Sequence, residues 1–137
     1  MTSSEAQSSA VYVDTSVLGR VILEEPDRDA ISRDLGLFER RVASRLLWLE
    51  LRRVGRREDA LYEAERVLED VTLIPIDEAT LSSAESIAPP TVGTLDAIHL
   101  ATAVRLAEAD KLDALMTYDK QLARGAEEHG LTVLSPS

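Results

Sequence analysis

The chain has no cysteine, which removes disulfides, thiol catalysis and thiolate metal sites in one step and suits a reducing cytoplasm. It has two histidines, His99 and His129, so any bound metal must be held by oxygen or by one of these. No apolar run approaches the roughly 18 residues of a membrane span. The opening MTSSEAQSSA lacks the basic start and apolar middle of a secretory signal, and residues 1–9 read as a flexible polar tail. Aromatic residues are few, and Tyr12, Trp48, Tyr62 and Tyr118 are too scattered for a base-stacking platform, which assigns them to packing. Positive charge is also scarce. A net charge of −10 argues against a general polyanion binder.

What remains is 137 residues with 45% hydrophobic content, enough for a single core over residues 10–137. The acidic balance fails in one place. Between residues 40 and 57 stand Arg40, Arg41, Arg45, Arg52, Arg53, Arg56 and Arg57 against the single acid Glu50. Arg45, Arg52 and Arg56 are spaced i, i+7 and i+11, which puts them on one helical stripe. That stripe is either a solvated face or a strip that meets an anion.

Short β-rich runs alternate with helical ones. The strands are expected at 10–14 (AVYVD), 41–44, 71–76, 114–119 (ALMTYD) and 131–135. The helices are expected at 16–24 and 26–38, divided near Pro26; at 45–57 and 58–70, with Gly55 weakening their junction; and at 77–87, stopped by Pro89 and Pro90. Residues 95–109 are apolar almost all round, as in a buried helix, and 119–129 end in His129 and Gly130, a left-handed cap. Strands joined by helical connections run parallel, so the fold class is α/β, and ligands of such sheets gather at the carboxyl ends of the strands.

This gives Asp14 two readings. It caps the helix that follows, or, with Asp119 in the same position after ALMTY, it brings a carboxylate to one edge of the sheet. Asp96, at the start of GTLDAIHLATA, either complements a helix dipole or adds a third carboxylate. Glu50 is harder to dismiss, because it shares a helical face with Leu46, Leu47 and Val54. An inward carboxylate needs a partner, either Arg53 at i+3 or a cation shared with the other acids. Four acids with no cysteine and little histidine suit a hard divalent cation such as Mg²⁺ or Mn²⁺, whose natural chemistry is phosphoryl transfer. His99, three residues after Asp96 in an apolar helix, reads as a satisfied core histidine outside the site.

The segments V-D-T-S-V-L, the glutamate in an arginine-flanked helix, T-L-D-A-I-H-L-A-T-A, and T-Y-D-K-Q-L followed by H-G-L-T-V-L-S-P together resemble a PIN-domain protein, more narrowly a VapC-type toxin. The resemblance runs from about Val11 to Pro136. It implies a three-layer sandwich with a central parallel sheet of four to five strands, Mg²⁺-dependent cleavage of RNA, a homodimer, and a cognate antitoxin partner. It places Asp14, Glu50, Asp96 and Asp119 as the catalytic, metal-holding quartet, with the hydroxyls of Ser16 and Thr15 beside it. Arg45, Arg52, Arg53 and Arg56 then become candidates for gripping RNA, and Leu18 and Ile22, from an unusually apolar helix pair, for meeting the antitoxin. One feature departs from the pattern: Pro89-Pro-Thr-Val-Gly93 has no basic residue where many relatives carry one before T-L-D. Two other readings are a haloacid-dehalogenase-like phosphatase with Asp14 as nucleophile and a non-catalytic acidic binding module. The first expects a second Asp where Ser16 stands and has no use for Glu50.

Overall fold

The computed structural model describes residues 9–137, so the expected tail over 1–9 falls, apart from Ser9, outside the described residues. The first strand, β1 (Ala10–Val13), is buried at all four positions, as its unbroken apolar run requires in a sheet covered on both faces. It is followed by α1 (Thr15–Ile22), α2 (Arg28–Leu35), β2 (Arg40–Ser44), α3 (Leu46–Arg57), α4 (Leu61–Leu68), β3 (Thr72–Ile74), α5 (Glu78–Ser86), α6 (Thr94–Glu108), β4 (Ala114–Met116), α7 (Lys120–Glu128) and β5 (Val133–Leu134). The five strands form one parallel sheet in the order β3-β2-β1-β4-β5, flanked by helices, as the resemblance implies. Among the described residues no helix is long and apolar enough to cross a membrane.

The ends of elements show which local force wins. β4 stops at Met116 rather than 119, and the freed residues Thr117–Asp119 become the loop that leads into α7. Pro26 lies in the turn before α2, which is shorter than its apolar pattern suggests. Gly130 ends α7 with φ +80°, the left-handed conformation expected of it. Gly55 does not break its helix. It sits inside α3, where an added Cβ would come within 3.0 Å of Leu61 Cα and 3.1 Å of the Ala64 side chain, so its role is to let α4 pack closely.

The core corrects one expectation. Leu18 and Ile22 are not offered to a partner: they are 2% and 5% exposed and belong, with Val17, to the continuous apolar core under the sheet. α1 is short and strongly one-sided, and its inward stripe is completed by these residues. The large apolar side chains of residues 16–38 that remain partly open are Val21, Leu35 and Phe38, with Leu23 and Leu37 exposed.

Candidate active site

β1 and β4 are neighbours in the sheet although their outer partners, β2 and β5, lie on opposite sides. Strand order reverses at this pair, and the carboxyl end of such a switch point is where open parallel sheets bind their ligands. Asp14 follows β1 at that point, its backbone N–H bonded to Met116 O at 3.1 Å. Its side chain caps α1 and at the same time stands at the carboxyl edge of the sheet, so the cap and the edge position do not exclude each other. Asp14 Oδ2 accepts from Ser16 Oγ at 2.8 Å, from Thr117 Oγ1 at 2.9 Å and, more weakly, from Ser16 N–H at 3.4 Å. Thr117 also accepts from Asp119 N–H at 3.0 Å, which ties the two acidic corners together. Asp119 in turn caps α7, its Oδ1 accepting from the Gln121 and Leu122 N–H groups at 2.9 and 3.0 Å.

Glu50 comes from α3 and is half-buried, but Arg53 is not its partner. Its Oε1 accepts from Thr15 Oγ1 and from His99 Nε2, each at 2.7 Å. Burial raises its pKa, yet the bonds from His99 and Thr15 outweigh this and hold the carboxyl below the usual range. His99 is a core histidine, 1% exposed, and is also bonded to an acid of the site; the sequence reading left it out. Its Nδ1 meets the phenol of Tyr12 at 2.7 Å, and burial keeps that phenol protonated. Thr117 was also missed, although its hydroxyl precedes the Tyr-Asp pair at a strand end. The hydroxyls of Ser16 and Thr15 both serve to orient acids, Ser16 on Asp14 and Thr15 on Glu50.

Asp96 stands in the first turn of α6, half-buried and without a side-chain hydrogen bond among the described residues. Burial first, then the charges of Asp119 and Asp14, push its pKa up to about 6, with Glu50 adding to the effect. All four acids predicted from sequence are thus brought within electrostatic reach of one another. Among the described residues, no three acidic or histidine side chains converge closely enough to ligate one ion together.

Asp96 gives a pH test. Its folded-state pKa lies above the usual 3.8, so between about pH 4 and 6 the folded chain holds a proton that the unfolded chain has lost. The associated stability is complete below that window and is lost as pH rises through 6. In cation-free buffer the melting temperature of the parent should therefore fall from pH 5 to 7 by more than that of Asp96→Asn. Parallel pH profiles would show that Asp96 does not feel its neighbours.

The arginine stripe is divided in the structure. Arg52 bonds Glu65 at 2.5 Å, whereas Arg45, Arg53 and Arg56 are exposed. Trp48 is not a packing residue either. It is 37% exposed, with the guanidinium carbons of Arg45 and Arg52 at 5.0 and 4.9 Å from its ring centre, and Tyr62 is more open still. Both sit on outward faces of α3 and α4, where the core is already filled by Leu47, Leu51, Ala64 and Leu68.

Fold and site together define a class: single-domain α/β proteins with carboxylates gathered at the switch point of a parallel sheet. The PIN domain family model matches residues 11–128. The chain is 36% identical over 131 residues to ribonuclease VapC46 of Mycobacterium tuberculosis, covering 94% of this chain and 99% of that protein. It is 35% identical over 133 residues to ribonuclease VapC47 of the same species, covering 92% and 96%. In fold it resembles VapBC2 from Rickettsia felis bound to a promoter DNA fragment, with a TM-score of 0.72 and 14% identity over 93% of this chain and 99% of that one. A toxin–antitoxin complex from Klebsiella pneumoniae gives a TM-score of 0.71 and 19% identity, over 94% and 98%. The chain belongs to the PIN-domain family and, within it, to the VapC ribonucleases. This membership sets aside the phosphatase and the non-catalytic module.

Proposed function

We propose that this chain is the toxin of a type II toxin–antitoxin pair, an endoribonuclease that uses Mg²⁺, or Mn²⁺ in its place, to hydrolyse RNA phosphodiester bonds. The observation that carries this reading is the gathering of Asp14, Glu50, Asp96 and Asp119 at one end of the sheet, where burial and then the charges of the other acids push the pKa of Asp96 up to about 6. The near full-length likeness to ribonuclease VapC46 supports the choice of substrate.

The donor set fits the cation. Mg²⁺ is hard, takes one or two carboxylates and keeps several waters, so it does not require three side chains to converge on it. When bound, such an ion lowers the pKa of a water and neutralises charge on the phosphodiester. The chain's own part is orientation. Asp14, Glu50 and Asp119 each have one oxygen occupied by protein donors, which fixes the carboxylates before a ligand arrives. Asp96 lacks such support and carries the repulsion that a cation relieves.

Phosphate contacts fall to the exposed Arg45, Arg53 and Arg56, while Arg52 is occupied by Glu65; no basic side chain in Pro89–Gly93 assists them. The antitoxin is placed over an apolar cleft of about 280 Å³ between Val21, Leu35, Val67 and Val71, whose floor includes the buried Leu18. The chain acts as a homodimer, to which the exposed Leu49, Leu81 and Leu95 lend apolar surface.

The test is to express the chain with and without its neighbouring gene's product and to map new RNA 5′ ends in the cell. Discrete ends are expected with the chain alone and none with the pair; purified protein should lose cleavage in chelator and regain it with Mg²⁺ or Mn²⁺. Absence of new ends, or cleavage that survives chelation, would overturn the reading.

A further inference from the structure

The bonds around His99 fix the position of its proton. Tyr12 Oη accepts the Ser44 N–H at 2.9 Å, so the phenol's own hydrogen must go elsewhere, and His99 Nδ1 is 2.7 Å away. The hydroxyl of Thr102 spends its hydrogen on Ile98 O at 2.7 Å and so does not donate to the phenol. A Nδ1 that accepts leaves the proton of a neutral ring on Nε2, and Nε2 faces Glu50 Oε1 at 2.7 Å. Thr15 donates to the same oxygen, so Oε1 is filled by two donors while Oε2 takes neither. The path runs through buried groups from β2 across β1 and α6 to α3, and so connects the interior of the sheet to one acid of the site.

We propose that His99 is a positioning residue of the acidic site: Tyr12 sets its tautomer, and the resulting Nε2–H holds Glu50 in one orientation, with Oε2 left for a divalent cation or its waters. This rests on the metal-dependent nuclease reading above. Histidine is suited to the task because its two nitrogens have opposite roles at once, accepting from the interior and donating to the site. A side chain present only to fill space at this position would need neither bond.

The experiment uses the full chain with Mn²⁺ as probe. Binding is measured by electron paramagnetic resonance of the free ion, RNA cleavage is followed in parallel, and imidazole ¹⁵N shifts report the His99 tautomer. His99→Asn keeps an amide near Tyr12 but is too short to reach Glu50. It should weaken Mn²⁺ binding and lower kcat by about 10- to 100-fold, the range typical of lost outer-shell partners, with little change in KM for RNA. His99→Gln extends an amide to Glu50 and should recover most of the loss. Tyr12→Phe should leave a folded protein in which the ¹⁵N shifts move from the pure Nε2–H pattern toward a mixture and Mn²⁺ binds several-fold more weakly.

Parent-like Mn²⁺ affinity and kcat in His99→Asn, or equal losses in the Asn and Gln variants, would overturn the proposal. So would a parent protein whose ¹⁵N shifts place the proton on Nδ1. If His99→Asn fails to fold, Tyr12→Phe decides, since parent-like binding there would also overturn it. A parent chain that shows the Nε2–H tautomer but binds no Mn²⁺ would instead sink the metal-dependent reading, so the two failures are distinguishable.

Discussion

Asp14→Asn is expected to stop RNA cleavage, by more than about 100-fold in kcat/KM, in a protein that still folds, and Asp96→Asn should do the same. Loss of an outer-shell partner alone costs 10- to 100-fold at metal sites, and these changes remove a charge from the site itself. The two variants reach that result differently. In Asp14→Asn the amide oxygen can still accept from Ser16 and Thr117, so the cap and the corner survive while the charge beside His99 is lost. In Asp96→Asn no hydrogen bond is at stake. The cost of burying the charge and the repulsion from Asp119 and Asp14 are relieved, so the variant should melt higher than the parent at neutral pH without cations. Cleavage assays in Mg²⁺ with melting curves check both, and a folded variant that cuts at the parent's rate would remove its acid from the site.

Leu18→Glu is expected to leave the chain largely unfolded. Replacing a buried leucine by alanine costs about 2–5 kcal/mol, against a total stability of about 5–15 kcal/mol for a typical domain. A carboxylate in the same place adds the cost of an unpaired buried charge. The side chain is 2% exposed in the apolar core, and among the described residues no fully buried group is an arginine or a lysine. Val21→Glu, one helical turn along and half-buried, should remain folded and serves as the control. Far-ultraviolet circular dichroism and thermal melting separate the outcomes. A folded Leu18→Glu with a melting temperature near the parent's would return this face to a partner.

The four acids were legible as candidates: two follow apolar strands, one opens an apolar helix and one interrupts an apolar face, but position left cap, dipole and ion-pair readings open and the family resemblance chose among them. The strand order was not, since AVYVD shows that β1 is buried without saying that β2 and β4 cover its two edges. The identity of partners was hidden for the same reason. Helical spacing offered Arg53 to Glu50, but the actual donors, Thr15 and His99, lie 35 and 49 residues away along the chain. Periodicity states which way a side chain faces, not what waits opposite. His99 was read as a core residue, which is correct, but its second nitrogen faces an acid that no local pattern connects to it. Trp48 was misread in the opposite sense, because a large apolar ring suggests burial, whereas here two arginines cover a ring on the outside of a filled helix. Leu18 and Ile22 illustrate how an apolar helix pair gives the amount of greasy surface but not its division between core and partner.

The clasp between Thr117 and Asp14 closes over 103 residues. During synthesis the amino-terminal part of a domain emerges first, and contacts so distant in sequence form late. β1 leaves the ribosome early, but its neighbour β4 and the corner acid Asp119 belong to the last fifth of the chain. Every product that ends before Asp119, whether from a stalled ribosome or a premature stop codon, lacks one of the four acids and the corner that positions another. On the proposed reading of the four acids, a message for this chain that is damaged or abandoned before Asp119 yields fragments without the full site, and cutting activity requires translation past that residue.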